Sequence, residues 1–500
     1  MSMFRWLRNR RARTRRSGQR PSARCRPQLE VLEDRCLLAG GVLDPAFGNG
    51  GSVVSPLDYS TYPMSATTYP QAGTVNDGKI IVGGEEVNRG LKERFKIARY
   101  NMDGSLDKTF GGSGEVLGPA GRARAVLVQL DGKVLAAGES NIVRLNADGS
   151  LDTTFGSHGL VTTTFTAKGF DEIWAMVLQP DGKIVVAAGT SPPNSNTRQL
   201  ALARYNANGS LDTSFGTGGK ALDHIPTSVL EGGGTAAIGL AIDPTGQLFV
   251  EMANPESNPY PAMIVRYTNT GMLDKSFGGS GTGYETFDGK GLLPSLASGG
   301  AVGIQPSNGD IIVLGITPYP YCEGLARLKP DGTLDGGITS ANNTKTGVGG
   351  GVFSVQFQAN GGILVGSNAG SGLGVTRYNP DLSLDTFFGT AGVAEFSPPQ
   401  SEDSFCGMGL EPDGRIVVAG LFNNSSLDQV AVARFLSTVP QITAFSANPS
   451  PVKAGSSVAL TASNIIDPTP SASITQVAFY LDSNNDGILE PATDTLLGYA

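Results

Sequence analysis

Carboxylates are the residues of this chain that come closest to a chemical constellation. Asp171-Glu172 and Glu402-Asp403 are adjacent pairs, and paired carboxyl groups can hold calcium or divide acid and base work between them. Solvated rim charges are the competing reading. Asp482, Asn484 and Asp486, followed by Gly487, alternate oxygen ligands as a calcium loop does. The acidic residue due at the twelfth loop position is replaced by Thr493, with Asp494 one place late. A plain Asn/Asp-Gly hairpin turn therefore competes with the metal loop. No cofactor is expected, apart from Ca2+ if these oxygen sets bind it. Two His occur in 500 residues, His158 and His224. No His-x-x-x-His, Cys-x-x-Cys or nucleophile-elbow motif is present, so zinc and Ser-His-Asp chemistry lack their parts. The Gly-rich run Gly347–Gly351 lacks a following Lys-Ser/Thr and fits turns better than a phosphate cradle.

Two residue types recur instead of occurring once. Arg stands at 99, 144, 204, 266, 327, 377 and 434, and Asp at 44, 107, 152, 212, 274, 335 and 385. A catalytic group is needed at one place, whereas a folding device is needed in every repeat. Arg99, Arg144, Arg204, Arg266, Arg327, Arg377 and Arg434 are thus expected to pair with Asp107, Asp152, Asp212, Asp274, Asp335, Asp385 and Asp44, or to bond turns. The functional alternative is seven equivalent ligand sites.

The elements that hold these residues are legible as two interleaved blocks. ARYNMDGSLDKTFG (98–111), VRLNADGSLDTTFG (143–156) and ARYNANGSLDTSFG (203–216) are the clearest copies of the first. QLDGKVLAAG (129–138), QPDGKIVVAAG (179–189) and EPDGRIVVAG (411–420) are close copies of the second. An Asp-Gly pair between apolar runs signals a hairpin, because Gly accepts the positive φ of a tight turn. Runs such as Ile184-Val185-Val186 do not alternate with polar residues, as expected of strands covered on both faces. One repeat reads as four short strands, with inner strands such as Ala125–Gln129 and Trp174–Gln179. Single repeats cannot bury both faces, so seven stacked around an axis make the core. The seventh copy is split, with its front half at Ala433-Arg434-Phe435 and its back half at Leu43–Gly48. Residues 41–437 are therefore read as an all-β, seven-bladed β-propeller of four-stranded blades, closed by its N- and C-terminal segments. Its last outer strand is expected at Gly50–Pro56.

These blocks resemble the delta-60 repeat β-propeller, a bacterial family carrying the DGSLDxTFG and QPDGKIVVAG signatures. The likeness covers nearly all of 41–437. It implies a propeller and no general enzymatic activity. Blades 2, 3 and 7 fit best, blade 4 loses its Asp-Gly turn, and blade 5 has Leu334-Asp335-Gly336-Gly337 where the family has Phe-Gly.

Charge divides the chain sharply. Residues 1–40 hold eleven Arg against Glu30, Glu33 and Asp34, a net of +8, while the remainder holds 26 basic and 42 acidic residues, a net of −16. The acidic body argues against nucleic acid as partner, and no apolar window reaches the ~18 residues of a membrane span. Residues 1–40 read as a basic export leader that is removed or disordered. Pro27–Gly40 (PQLEVLEDRCLLAG) resembles the leader of large exported planctomycete proteins, which implies a secreted or cell-surface location. Of the four cysteines only Cys322 and Cys406 lie in the propeller, where they read as two separate thiols. Residues 438–500 have the alternation and Pro/Gly punctuation of an immunoglobulin-like sandwich, resemble bacterial modules of that kind, and read as a partial domain.

Two functions from different classes follow. One is an exported, non-catalytic, monomeric propeller that binds an extracellular protein or glycan as an adhesion or scaffold module. The other is a propeller hydrolase or lyase acting on extracellular glycans. Variable loops on a rigid scaffold are where binding is carried. NPESNPYPA (254–262) and ITPYPYCEG (316–324) place Tyr260, Tyr319 and Tyr321 there, stiffened by Pro. They are candidate ligand contacts or, on the plainer reading, edge cover.

Overall fold

Asp131-Gly132, Asp181-Gly182 and Asp413-Gly414 each sit in a tight turn between two paired strands, with the glycines at φ of +83, +81 and +89°. The structure, a computed structural model, describes residues 40–55, 60–70, 76–87, 93–166, 170–191, 199–223, 236–253, 262–279, 281–287, 300–316, 323–335, 339–340, 354–369, 372–397, 404–423 and 428–437, and the backbone of four further strands between 441 and 499.

The turns join seven antiparallel four-stranded sheets. The first strand in the chain, β1 (Ser52–Val54), belongs to the last of them. Blade 1 is β2 (Ser60–Thr68), β3 (Ile80–Val87), β4 (Glu93–Tyr100) and β5 (Glu115–Ala120). Blade 2 is β6 (Ala125–Val128), β7 (Val134–Gly138), β8 (Asn141–Leu145) and β9 (Leu160–Thr162). Blade 3 is β10 (Phe170–Leu178), β11 (Ile184–Ser191), β12 (Gln199–Tyr205) and β13 (Lys220–Asp223). Blade 4 is β14 (Ala236–Ile242), β15 (Leu248–Ala253), β16 (Ala262–Tyr267) and β17 (Tyr284–Thr286). Blade 5 is β18 (Val302–Ile304), β19 (Ile311–Ile316), β20 (Glu323–Leu328) and β21 (Thr339–Ser340). Blade 6 is β22 (Ser354–Phe357), β23 (Ile363–Ala369), β24 (Gly372–Tyr378) and β25 (Val393–Phe396). Blade 7 is β26 (Ser404–Leu410), β27 (Ile416–Asn423), β28 (Asp428–Phe435) and then β1. Neighbouring inner strands pack on one another all the way round, β26 returning to β2. The ring is a closed seven-bladed propeller.

Its apolar core falls into seven clusters, each drawn from two adjacent blades. Leu135, Ile142 and Phe155 of blade 2, for example, pack with Ile184, Val186 and Tyr205 of blade 3. Phe47 and Val432 of blade 7 pack with Ile80 and Tyr100 of blade 1. No blade has a core to itself, which is why the repeats must stack.

The seventh blade is joined noncovalently. Ser52 lies opposite Ala433 and Val54 opposite Ala431. The outer strand is shorter than the expected 50–56. The Gly51 N–H bonds the Phe47 carbonyl (2.8 Å), so Gly50 and Gly51 belong to the turn. Gly41 N–H donates to Leu436 O (2.7 Å) and Leu436 N–H to Val42 O (2.9 Å). These bonds rebuild, across the break in the chain, the turn that runs unbroken from Asn146 to Ser150 in blade 2. A Cβ on Gly40 would lie 2.5 Å from the carbonyl carbon of Ser437, so the two ends abut.

Residues beyond Val439 belong largely to a second unit. Its described strands form two separate antiparallel ladders, β29 (Gln441–Asn448) with β30 (Ala459–Ile466) and β31 (Ala478–Leu481) with β32 (Thr495–Tyr499). A sandwich is not among the described residues.

Candidate functional site

The seven Arg and seven Asp meet in seven ion pairs at the turn end of the blades. Each Arg comes from the third strand and each Asp from the turn that follows, at 2.7 Å for Arg99–Asp107 and Arg144–Asp152 and 2.8 Å for Arg204–Asp212, Arg327–Asp335 and Arg377–Asp385. Arg266–Asp274 is held at 2.9 Å and Arg434–Asp44 at 2.8 Å. The pair also crosses to the next blade. The guanidinium of Arg204 donates to Asn269 O (2.5 Å), that of Arg327 to Pro380 O (2.9 Å) and that of Arg377 to Ser437 O (2.7 Å). Arg99 and Arg144 reach Ala147 O and Ala207 O in the same way. Beside each crossing runs a backbone bond, such as Gly111 N–H to Asp148 O and Gly156 N–H to Asn208 O, both 2.8 Å. Six of the seven guanidinium groups lie over the Phe of their own repeat at 4.4–4.8 Å from the ring centroid. Stacking of this kind is worth ~1–2 kcal/mol once desolvated.

Lys79 and Lys133, from the first turn of their blades, close the network on Asp107 (2.7 Å) and Asp152 (3.1 Å). Burial opposes ionisation of both aspartates. Their bonds to these lysines and to Thr109 and Thr154, with the guanidinium charge, outweigh it and hold both well below the usual carboxylate range. The Ser214 hydroxyl leads in lowering Asp212 to about 2. The charges of this network join strands and blades, with Arg266 Nε and Arg327 Nε left without an acceptor among the described residues.

Blades 4 and 5 are the departures from the repeat. Blade 4 keeps both turns, with Gly246 and Gly271 at φ of +86 and +79°, because the glycine and not the Asp supplies the conformation. Blade 5 lacks the Phe, and Arg327 is 18% exposed where Arg434 is 1% exposed. In other blades the turn glycine packs on the preceding Phe; a Cβ on Gly271 would meet the Phe215 ring at 2.7 Å. Blade 6 follows the blade without Phe, and there the glycine is replaced by Leu382, buried at φ +69°. The larger side chain fills what the missing ring leaves, against the ~1–2 kcal/mol that left-handed backbone costs a non-Gly residue.

The opposite end gathers residues that occur once. There the inner strands begin, and in blades 1, 3, 4 and 7 each carries a one-residue bulge, at Met64, Trp174, Ile238 and Cys406. In blade 2 Arg124 stands at the same place, just before Ala125, with its N–H on Ala137 O (2.8 Å). Equivalent positions in adjacent blades are neighbours, and the Arg124 guanidinium lies 4.2 Å over the Trp174 ring. Arg124 binds Glu172 at 2.5 Å, and Arg122 binds Glu85 at 2.9 Å and Glu93 at 3.1 Å. Arg124 Nε and Trp174 Nε1 are buried without an acceptor among the described residues. A buried donor left unpaired costs ~1–3 kcal/mol.

Glu139 completes this cluster. Blade 2 joins β7 to β8 by Glu139-Ser140 alone, and Glu139 adopts φ +45°. Its carbonyl accepts from Ile173 N–H (2.7 Å), tying the turn to blade 3. Burial and then the charge of Glu172 push its carboxyl up, and burial likewise raises Glu85.

Of the carboxylate pair expected at 171–172, only Glu172 joins this cluster. Asp171 accepts from Thr190 Oγ1 (2.5 Å) and Phe165 N–H (2.9 Å) and secures the blade 2–3 connection. His158 is exposed on a turn at φ +56°. Cys406 is a free thiol, pushed up to about 12 by burial. Tyr260, Tyr319, Tyr321, His224, Cys322, Glu402-Asp403 and the Asp482, Asn484, Asp486 loop lie outside the described residues. Among the described residues no group of three His, Cys, Asp or Glu is placed to hold a metal, and no helix is long and apolar enough to cross a membrane. Sequence reasoning passed over Arg122, Arg124, Glu139 and Trp174. The signal was available in the two-residue β7–β8 connection and in the single Trp outside the leader.

Fold and sequence together make this a β-propeller protein. Residues 76–110, 129–155, 179–215, 358–388 and 411–438 match the family model described as Domain of unknown function (DUF5122) beta-propeller. Those segments fall in blades 1, 2, 3, 6 and 7, and the two departing blades are unmatched. No curated protein matches the sequence. Among solved structures the chain is similar to a glucose dehydrogenase at 12% identity and TM-score 0.39, over 61% of this chain and 94% of that one. It is similar to regucalcin, a calcium-binding protein from Agrobacterium tumefaciens, at 14% and 0.36, over 63% and 90%. The β-propeller domain of the Trilobed protease from Pyrococcus furiosus gives 9% and 0.40, over 76% and 98%. These likenesses concern the fold alone.

Proposed function

We propose that the chain is an exported, non-catalytic propeller that binds an extracellular protein or glycan, serving as an adhesion or scaffold module of a surface protein. The observation that carries this reading is the difference between the two ends of the ring. At the turn end the recurring charges are consumed in holding blades together. At the other end Arg124, Trp174, Glu139 and Glu172 form a cluster with no copy in the repeat. Rigid repeats that carry one irregular surface suit recognition. The basic leader and Pro27–Gly40 support export.

A second reading, a hydrolase or lyase of extracellular glycans, draws on Glu139 and on Glu251. Glu251 is fully buried on β15 and pushed up to about 8, a protonated carboxyl of the kind a general acid requires. The two stand on blades separated by a third, too dispersed for a shared reaction centre. Applying the full chain to arrays of glycans and matrix proteins, with reducing-end release measured on the same glycans, tests the choice. Capture without release is expected. Release that Glu139→Gln or Glu251→Gln abolishes refutes the binding-only reading.

A further inference from the structure

We propose that Arg124 and Trp174 form a closed platform for a neutral saccharide, an inference that rests on the binding reading above and names its site and ligand class. The Arg124 guanidinium covers the indole at 4.2 Å, in the place where the apolar face of a sugar ring would stack. Both Arg124 Nε and Trp174 Nε1 are shut from solvent with no acceptor among the described residues, so the resting pair leaves two donors unused. Around them stand the carboxyl groups of Glu85, Glu93, Glu139 and Glu172 and one more guanidinium, that of Arg122.

Those neighbours select the ligand. An anion would meet four carboxyl groups against two guanidinium groups. A cation would leave both N–H donors unpaired. A hydroxyl group donates and accepts at once, and is the neutral group that answers donors and carboxylates together. Arg124 already holds Glu172 at 2.5 Å, so it can swing off the ring without losing its ion pair. The β7–β8 connection of blade 2 is only Glu139-Ser140, which keeps the rim low beside the platform. Stacking on the uncovered indole and two satisfied donors would then replace the resting contact.

Trp6 and Trp174 are the two tryptophans, so the full chain carrying Trp6→Phe reports on the platform through its emission. Glucose, galactose, mannose, N-acetylglucosamine and their short oligomers are titrated against glucuronate and glucosamine. A saturable change with a neutral sugar is expected, weakened at least tenfold in a binding assay by Trp174→Ala and retained in part by Trp174→Phe. Arg124→Ala, which uncovers the ring but removes one of the two donors, should weaken binding less than Trp174→Ala does. Tighter binding of glucuronate or glucosamine overturns the ligand class, as does the absence of any saturable response to the neutral sugars. A partner captured on the arrays whose binding Trp174→Ala leaves intact overturns this site while the binding reading stands; no capture and no emission change together overturn both.

Discussion

Replacing Arg434 by Ala should cost far more than replacing Arg327 by Ala, although both occupy the same place in the repeat. Arg434 is 1% exposed and binds Asp44, itself 3% exposed, across the join between the two ends of the ring. It stacks on Phe47 at 4.8 Å and lies 3.5 Å from Glu411. Removing it strands two buried carboxyl groups, and breaking a buried pair costs ~3–5 kcal/mol. Arg415 remains 3.6 Å from Asp44 and 2.9 Å from Glu411, which places the expected loss at the lower end, about 4 kcal/mol with the lost stacking. Arg327 has no ring over it among the described residues, and its partner Asp335 is 34% exposed. Water can take over that carboxylate, so about 1 kcal/mol is expected. At ~2 cal/mol/K per residue, a ring of about 400 residues has an unfolding entropy near 0.8 kcal/mol/K. The two losses then correspond to shifts in Tm of about 5 and 1 °C. Calorimetry on the two variants, with urea midpoints followed by Trp174 emission, measures both. Equal shifts, or an Arg434→Ala protein that melts like the parent, refute the argument that closure rests on this pair.

The remaining predictions follow from the same geometry. The raised carboxyl of Glu251 favours the fold below about pH 4.5, and that contribution is lost as pH rises toward about 8; Glu251→Gln should flatten the dependence, gaining up to ~5 kcal/mol over the parent at the alkaline end. Denaturant midpoints of both proteins from pH 5 to about pH 8.5 decide it, and parallel curves discard the desolvated-acid reading. Joining Ser437 directly to Gly40, with new ends opened between β13 and β14, should give a permuted propeller that folds, because the break falls inside a turn whose hydrogen bonds already exist. Circular dichroism and a melt check it; an unfolded or aggregated product means the two ends do not meet as described.

What was legible beforehand is what local chemistry repeats. Asp-Gly turns, covered apolar runs and an Arg eight residues before its Asp are all encoded within one blade, so seven copies reinforce one another. The split copy at 433–435 and 43–48 likewise announced the closed ring. The crossing bond of each Arg was not legible, because its acceptor is a backbone carbonyl some 48 to 65 residues on, borne by Ala147 in one case and Asn269 in another. Leu382 was opaque for a related reason. It answers a Phe missing from the blade before it, and within its own repeat it is merely an irregularity.

The cluster around Arg124 and Trp174 was hidden by register. Arg124 and Trp174 are fifty positions apart and share no local motif; they meet because they hold the same place in adjacent inner strands, Arg124 just before Ala125 and Trp174 at the bulge just before Ala175. A bulge displaces one residue from the two-residue alternation, so a pattern search files it as noise. In a repeat protein that noise is where selection for a ligand can act. A side chain needed seven times is bound to the frame, and changing it taxes every blade that copies it. A side chain present once, at a position where the backbone has already departed from the ladder, can be exchanged without disturbing the ring. The same reasoning makes Trp174 a better first target for mutation than any of the seven arginines, although the arginines dominate the sequence.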